Sequence, residues 1–299
     1  MLVAVSGGLD SMVLLHLLYD LSKSHGWKII VAHFNHRLRG RSSDADERLV
    51  QKTASNLKLK FVCDSADVKK FAMANHLSIE MGARKLRHEF LAQTAKKFKI
   101  RTVALAHHAD DQVELFFLRL LRGAGPEGLS GMNWKSNSPA DVSVKLVRPI
   151  LDQPKEFLHD YAKANKIRFR EDTSNASLDF QRNRIRHEVV PLLKTIQPGL
   201  KETVLRTMEI AAGESNFVLA AALDWLSRKK RPSLDQLHLG VQRVCLRLQI
   251  RALGFPSNFD LVEQLRTQPN RDVAVNPENS VYRDAAGVVY PRTQKVISF

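Results

Sequence analysis

The sequence is short of cysteine: Cys63 and Cys245 are the only two in 299 residues. A disulfide framework is thereby excluded, as is a set of paired thiols for zinc or an iron–sulfur cluster, and the usage points to a reducing compartment. Long hydrophobic runs are missing too, since no segment approaches the roughly 18 apolar residues of a membrane span. The opening MLVAVSGGLDS has no basic leader, and Asp10 interrupts its apolar stretch, so no signal peptide is expected. Together these absences predict a soluble, cytoplasmic protein with no membrane partner. Acid is scarce as well, with 31 Asp and Glu against 46 Lys and Arg, a net charge of +15. Such a balance suits a polyanionic partner, because each cation placed on a phosphate releases a condensed counterion, although a merely basic surface carries the same charge. What is present is ordinary globular usage, 44% hydrophobic and 26% charged, which excludes disorder and collagen-like structure. At roughly 100 to 200 residues per domain, the length favours one large domain and a smaller one.

Apolar runs at 2–5, 29–33, 59–63 and 102–106 read as buried strands, and helical periodicity appears at 44–57, 67–76, 79–98 and 110–121. A further helical pattern follows the first strand, carried by Met12, Leu14, Leu15, Leu17 and Leu18. Strands alternating with helices predict an α/β fold with a doubly wound parallel sheet. Residues 135–141 read as a polar loop, and the sheet portion should end near Leu151. Helices are expected at 154–165, 182–193, 200–226 and 234–253, then short strands at 273–275, 280–283 and 288–290 that suggest a small α+β meander. A boundary near residue 215 predicts domains at 1–215 and 216–299.

Chemistry concentrates first at Ser6, Gly7, Gly8, Leu9, Asp10 and Ser11, between the first strand and its helix. Ligands of open α/β folds bind at that sheet edge. Two glycines let backbone amides converge, the helix N-terminus adds positive potential, and hydroxyls add donors, which suits a phosphate. The segment matches neither familiar nucleotide loop. An acid inside a phosphate loop repels its ligand unless it serves a magnesium ion or a leaving group, so Asp10 reads as functional; the alternative is a helix N-cap. His107 and His108 end the fourth strand on the same edge, and Asp111 and Glu114 share a face of the next helix. Two carboxylates there would attract an ammonium and help deprotonate it, or merely favour the helix start. Arg84 and Arg87 are three apart on a predicted helix and either clamp phosphate or face solvent. His33 and His36 follow the second strand without a usual zinc spacing or a third ligand. Arg182, Arg184 and Arg186 could track a nucleic-acid backbone or form a basic face paired with Asp179 and Glu188. The run Arg228, Lys229, Lys230, Arg231 is less specific, since helix ends attract cations.

The S-G-G-x-D-S segment resembles the pyrophosphatase loop of the ATP-pyrophosphatase (PP-loop) superfamily. Later segments narrow the resemblance to tRNA(Ile)-lysidine synthetases: His33-Phe34-Asn35-His36-Arg37-Leu38-Arg39-Gly40 with Ser43 and Asp44, Ala83 to Phe90, Ala106 to Glu114, Arg122-Gly123, Gly128 to Met132, Arg148 to Leu151, Glu171 to Asn175 and Arg182 to Arg186. The ordered set covers about residues 2–195. Leu115 and His88 depart from the threonine and tyrosine more usual in the family.

This resemblance implies an adenine nucleotide alpha hydrolase-like, Rossmann-like sheet with a smaller C-terminal α+β domain that binds tRNA. It implies ATP and Mg2+ as cofactors, an isoleucine tRNA with a CAU anticodon as partner, and free L-lysine as second substrate. The wobble cytidine would be adenylated and then joined to the lysine ε-nitrogen, so that the tRNA reads AUA. Ser6, Gly7, Gly8, Leu9, Asp10, Ser11 and His33 are the implied ATP-binding residues, with Asp10 toward metal. Asp10, Arg87, His107, Asp111 and Glu114 are the implied catalytic residues, and Asp111 and Glu114 hold lysine. Arg84, Arg182, Arg184, Arg186, Arg228, Lys229 and Lys230 are expected on tRNA. A short-form member without a further C-terminal domain is expected, with a homodimer among the assemblies the sequence leaves open. The rival readings are a tRNA thiolase, disfavoured by two isolated cysteines; a decayed RNA-binding scaffold, disfavoured by intact acids; and a small-metabolite synthetase, which leaves +15 unexplained.

Overall fold

The structure, a computed structural model, describes residues 1–38, 40–171 and 181–293. Arg39, the Asp172 to Asn175 part of the acidic motif, and Asp179 lie outside the described residues. The chain divides into two compact units, one of residues 1–124 and 131–208, the other of residues 125–130 and 209–299.

The first unit is built on a six-stranded sheet in the order β3-β2-β1-β4-β6-β5. Its strands are β1 Leu2–Ala4, β2 Ile30–Asn35, β3 Lys60–Ser65, β4 Thr102–Ala104, β5 Lys135–Asn137 and β6 Lys145–Val147. All neighbours are parallel except β5, which runs antiparallel on β6 with Ser136 opposite Leu146. The expected polar loop at 135–141 is therefore corrected: its first three residues form an edge strand. Lys135 and Asn137 are exposed, and an edge strand with one solvated face shows no apolar run for periodicity to detect.

Helices cover both faces. They are α1 Leu9–His25, α2 Arg41–Asn56, α3 Val68–Ala74, α4 Ile79–Lys97, α5 Ala109–Leu120 and α7 Lys155–Ala164. Short α6, Pro126–Leu129, belongs to the second unit. One core gathers Val3, Val31, Leu14, Leu15 and Leu158 from β1, β2, α1 and α7; another gathers Leu2, Ala32, Val103 and Leu146 of the sheet with Phe90 and Leu91 of α4. Residues Leu2 and Val3 of β1 thus face opposite cores and are both fully buried. A central parallel strand reads as a continuous apolar run for that reason.

The helix expected at 182–193 is divided into α8 Gln181–Arg184, a π-helical turn Ile185–Val189 and α9 Val190–Ile196. The amide of Val190 reaches the carbonyl of Ile185, five residues back. Pro191 follows at once and has no amide to continue the regular ladder. Helix α10, Leu200–Ser227, comes next; its residues to Met208 belong to the first unit and the rest to the second.

The second unit also holds a 3-10 turn Leu234–Gln236, α11 Leu239–Ala252, α12 Phe259–Thr267, and an antiparallel meander of β7 Val273–Ala274, β8 Asn279–Arg283 and β9 Val289–Thr293. Trp225, Leu234, Leu246, Ile250, Leu265 and Val281 fill its core. The guanidinium of Arg283 is buried and donates from Nε to Leu265 O at 2.8 Å and from Nη2 to Arg266 O at 3.0 Å. It thereby satisfies carbonyls at the end of α12 that have no intrahelical partner. No described helix is long and apolar enough to cross a membrane.

Candidate active site

In the strand order, β1 lies between β2 and β4, so the chain leaves β1 on one side and returns on the other. The crevice beyond the carboxyl ends of β1 and β4 is the topological switch point where open α/β sheets bind ligands. Ser6 to Ser11 follow β1, and His107 and His108 follow β4. A cavity of about 640 Å³ opens there, within the size range of small-ligand sites.

The turn after β1 is stiffened by its own hydroxyls. Ser11 Oγ accepts from the Ser6 amide at 3.0 Å and donates to Gly8 O at 3.0 Å, and Ser6 Oγ lies 3.1 Å from Ser11 Oγ. Gly7 sits at φ +95°, and a Cβ there would press on Asp46 Cβ at 3.2 Å; glycine is required on both counts. Gly8, not Asp10, is the N-cap of α1, and no side chain caps it. The first amides of α1 therefore remain available to an anion, and the N-cap alternative for Asp10 is not the arrangement observed.

Asp10 is instead turned toward His108, whose Nε2 lies 3.6 Å from Asp10 Oδ2. The His108 ring is buried and stands within 3.7 Å of Asp110 and 3.6 Å of Asp111. Burial alone would lower its pKa, but hydrogen bonding to Asp10 and Asp110 and the charge of Asp111 drive it up to about 10. An imidazolium thus holds three carboxylates together. For Asp10, burial works against ionisation, yet the hydrogen bond and charge of His108, with Lys155 and Arg186, leave its carboxyl below the usual range. Its Oδ1 is buried without a hydrogen-bond partner. His107 behaves oppositely: burial, then Arg87 and the neighbouring guanidiniums, push it down to about 3, so it is neutral and its Nδ1 has no partner. His33 is held by Nδ1, which donates to Val5 O at 2.8 Å, and burial lowers its pKa.

Asp111 Oδ2 accepts from the His108 amide at 3.1 Å and so also starts α5. Its Oδ1 accepts from Arg182 Nη2 at 2.5 Å, and Glu114 accepts from Arg182 Nε at 2.7 Å and from Arg186 Nε at 2.5 Å. Arg184 pairs with Glu188 at 3.1 Å.

The cavity brings together Ser6, Gly8, Asp10, Ser11, His33, Arg87, His107 and Asp111 on its wall. Glu114 is not on that wall; it lies beneath Arg182 and Arg186, and Gly7 and Leu9 support the turn from behind. Arg84 is exposed on α4. Arg228, Lys229 and Lys230 lie in the second unit, where Arg228 pairs with Asp224 at 2.6 Å and both lysines are exposed. Two residues that sequence reasoning left out of the site belong to it. His108 is the hub just described, and Asp46 lines the cavity while pairing with Arg170 at 2.7 Å. The adjacent histidines and acids of 107–111 were a visible signal for the first; Asp46 left none, since its helix carries many polar residues.

The family profile of the PP-loop domain matches residues 1–193. Among curated relatives, the tRNA(Ile)-lysidine synthase of Geobacter sulfurreducens is 43% identical over 212 residues, 71% of this chain and 44% of the relative. That of Porphyromonas gingivalis is 40% identical over 224 residues, 75% of this chain and 47% of the relative. The chain spans about half the length of these relatives. Among solved structures, the U34-tRNA thiolase NcsA from Methanococcus maripaludis superposes with a TM-score of 0.56 at 18% identity over 70% of each chain, a likeness of fold. With the matched segment spanning most of the first unit and carrying every residue of the cavity wall, the chain belongs to the PP-loop domain family.

Proposed function

We propose that this chain is an ATP-dependent tRNA-modifying ligase that joins free lysine to the wobble cytidine of a CAU-anticodon isoleucine tRNA. The observation that carries the reading is the meeting of a phosphate turn, Asp10 and Asp111 on one cavity at the switch point, in a chain whose curated relatives are tRNA(Ile)-lysidine synthases. The charge of +15 agrees with it, and the reading places the protein with the tRNA pool in the cytoplasm.

In the first step the cytosine O2 attacks the α-phosphorus of ATP, an O–P bond forms, and pyrophosphate leaves with the electrons of the broken phosphoanhydride. The free amides at the start of α1 and the Ser6 hydroxyl receive the phosphate oxygens as charge moves onto them, while Ser11, which donates to Gly8 O, holds the turn. The unpartnered Oδ1 of Asp10 fits a cation, and among the described residues no cluster of three or more ligating side chains surrounds it. Magnesium carried in with the nucleotide would rest on Asp10 and neutralise phosphate charge. His108 keeps Asp10 ionised for that task.

In the second step the lysine ε-nitrogen attacks ring carbon C2 and AMP departs. The ammonium must lose a proton first, and Asp111, on the cavity wall, is the carboxylate placed to hold it and accept that proton, with Glu114 adding its charge from behind. Both are occupied by Arg182 here, so lysine entry requires Arg182 to yield Asp111. His107, neutral at physiological pH, serves the departing AMP oxygen as a donor. The reactive edge of the base must be splayed out of the anticodon stack to reach this cavity. The modified tRNA would read AUA.

Incorporation of labelled lysine into a CAU-anticodon isoleucine tRNA transcript tests the reading, with ATP and magnesium present. The expected result is incorporation that Asp111→Ala abolishes and that a methionine tRNA does not support. Pyrophosphate release without lysine uptake would refute the second substrate.

A further inference from the structure

Arg87 lines the cavity beside His107, and among the described residues further arginines gather behind it. Arg84 and Arg87 stand one turn apart on α4, and neither has an acidic partner among the described residues. Arg148 follows β6, is buried, and is fixed by Nη1, which donates to Asn133 O at 2.7 Å and Ser136 Oγ at 3.2 Å. The Nε atoms of Arg87 and Arg148, both ring nitrogens of buried His88, and Nδ1 of His107 are all buried without a hydrogen-bond partner. Burial, and after it the charge of these guanidiniums, pushes His88 down to about 4 and His107 to about 3. Native structures rarely leave so many buried polar atoms unsatisfied in one place, and like charges converge at a cost unless an anion completes the set.

We infer that Arg84, Arg87 and Arg148 form a second phosphate-binding subsite, separate from the turn after β1, which takes a backbone phosphodiester of the RNA beside the reacting base. The planar forks of three arginines match phosphate oxygens, and neutral His88 and His107 complete the pocket without adding charge. An RNA phosphodiester is favoured over the nucleotide tail because the turn after β1 already supplies donors for that tail. Arg148 also follows a strand two places away in the sheet, about 10 Å across at ordinary strand spacing. The inference rests on the proposed RNA substrate.

The test is a scan of the CAU-anticodon stem-loop in which each loop phosphodiester in turn is replaced by an uncharged methylphosphonate. Binding is measured to the full chain and to Arg84→Gln, an exposed position whose loss leaves the fold intact, with Arg148→Gln as a second variant. For the unaltered chain, one methylphosphonate should weaken binding by about tenfold, the loss of one charge-assisted hydrogen bond. In Arg84→Gln the same replacement should cost little more, while ATP affinity stays within twofold of the parent. Equal losses in parent and variant at every position overturn the subsite, even where lysine incorporation succeeds. Weakened ATP binding in Arg84→Gln with no phosphodiester coupling assigns the arginines to the nucleotide and also overturns it. A parent chain that binds no stem-loop overturns both this inference and the RNA reading.

Discussion

A single proton on His108 supplies the positive charge that stands among Asp10, Asp110 and Asp111. Replacing the ring by His108→Gln keeps a polar group of related size but removes the charge, so that Asp111 retains Arg182 and Asp110 retains Lys201 while Asp10 loses its cation. We expect a loss of about 3 kcal/mol in urea denaturation, the scale for breaking a buried ion pair from one side, together with loss of pyrophosphate release. Asp10→Ala separates the two effects: release should vanish while the denaturation midpoint changes little, because Asp10 itself is partly exposed. His88 and His107 predict an acid limb. Both are held neutral well below the ordinary histidine pKa, whereas the unfolded chain binds their protons near 6.5. The contribution of these two groups is therefore complete above pH 6.5 and falls as pH drops from there toward 4, by up to about 1.4 kcal/mol per pH unit for each group. His88→Gln should flatten that limb by one group's share in denaturation curves taken between pH 4.5 and 7; an unchanged slope would refute a neutral His88.

Among the elements, α5 is the one whose position matters most to the site, and its first turn is braced against the segment at Gly131 and Met132. Gln112 donates from Nε2 to Met132 O at 2.9 Å and accepts from the Met132 amide at 2.8 Å. Gly131 stands beside this pair at φ +77°, where an added Cβ would lie 2.1 Å from Met208 Cε and 2.9 Å from Gln112 Oε1. Gly131→Ala should cost about 2 kcal/mol through strain and overpacking and lower activity further by shifting Asp111, as read from urea melts and lysine incorporation together. The central elements were legible beforehand for a common reason: β1, β2 and β4 are buried on both sides, and their apolar runs announce themselves. Edge strand β5 and helix α12 were not, because a half-solvated three-residue strand and a nine-residue helix carry too few apolar positions to stand out. The break of the 182–193 helix into a π-helical turn had a visible cause in Pro191, though proline at a helix start usually implies no such widening.

For the whole molecule the net charge of +15 sets the expected character of RNA binding. The affinity for the tRNA transcript should fall linearly in log–log terms with salt, and Arg84→Gln should reduce that slope by about 0.7, one contact to single-stranded phosphate. A slope unchanged by salt would separate the charge from nucleic-acid binding. By itself the sequence determined the parallel α/β sheet, the glycine turn at 6–11, and the identities of the chemical groups, because these depend on local spacing and on burial that repeats along the chain. Only the tertiary structure decided how those groups meet. Arg182 and Arg186, 68 and 72 residues from Glu114 along the chain, neutralise the carboxylates that one-dimensional reasoning left open for lysine. The structure likewise sends adjacent His107 and His108 into opposite protonation states, one beside guanidiniums and one among carboxylates. Charge acts through space over a few ångströms, and which residues come that close is settled by the order of strands in the sheet, not by their order in the chain.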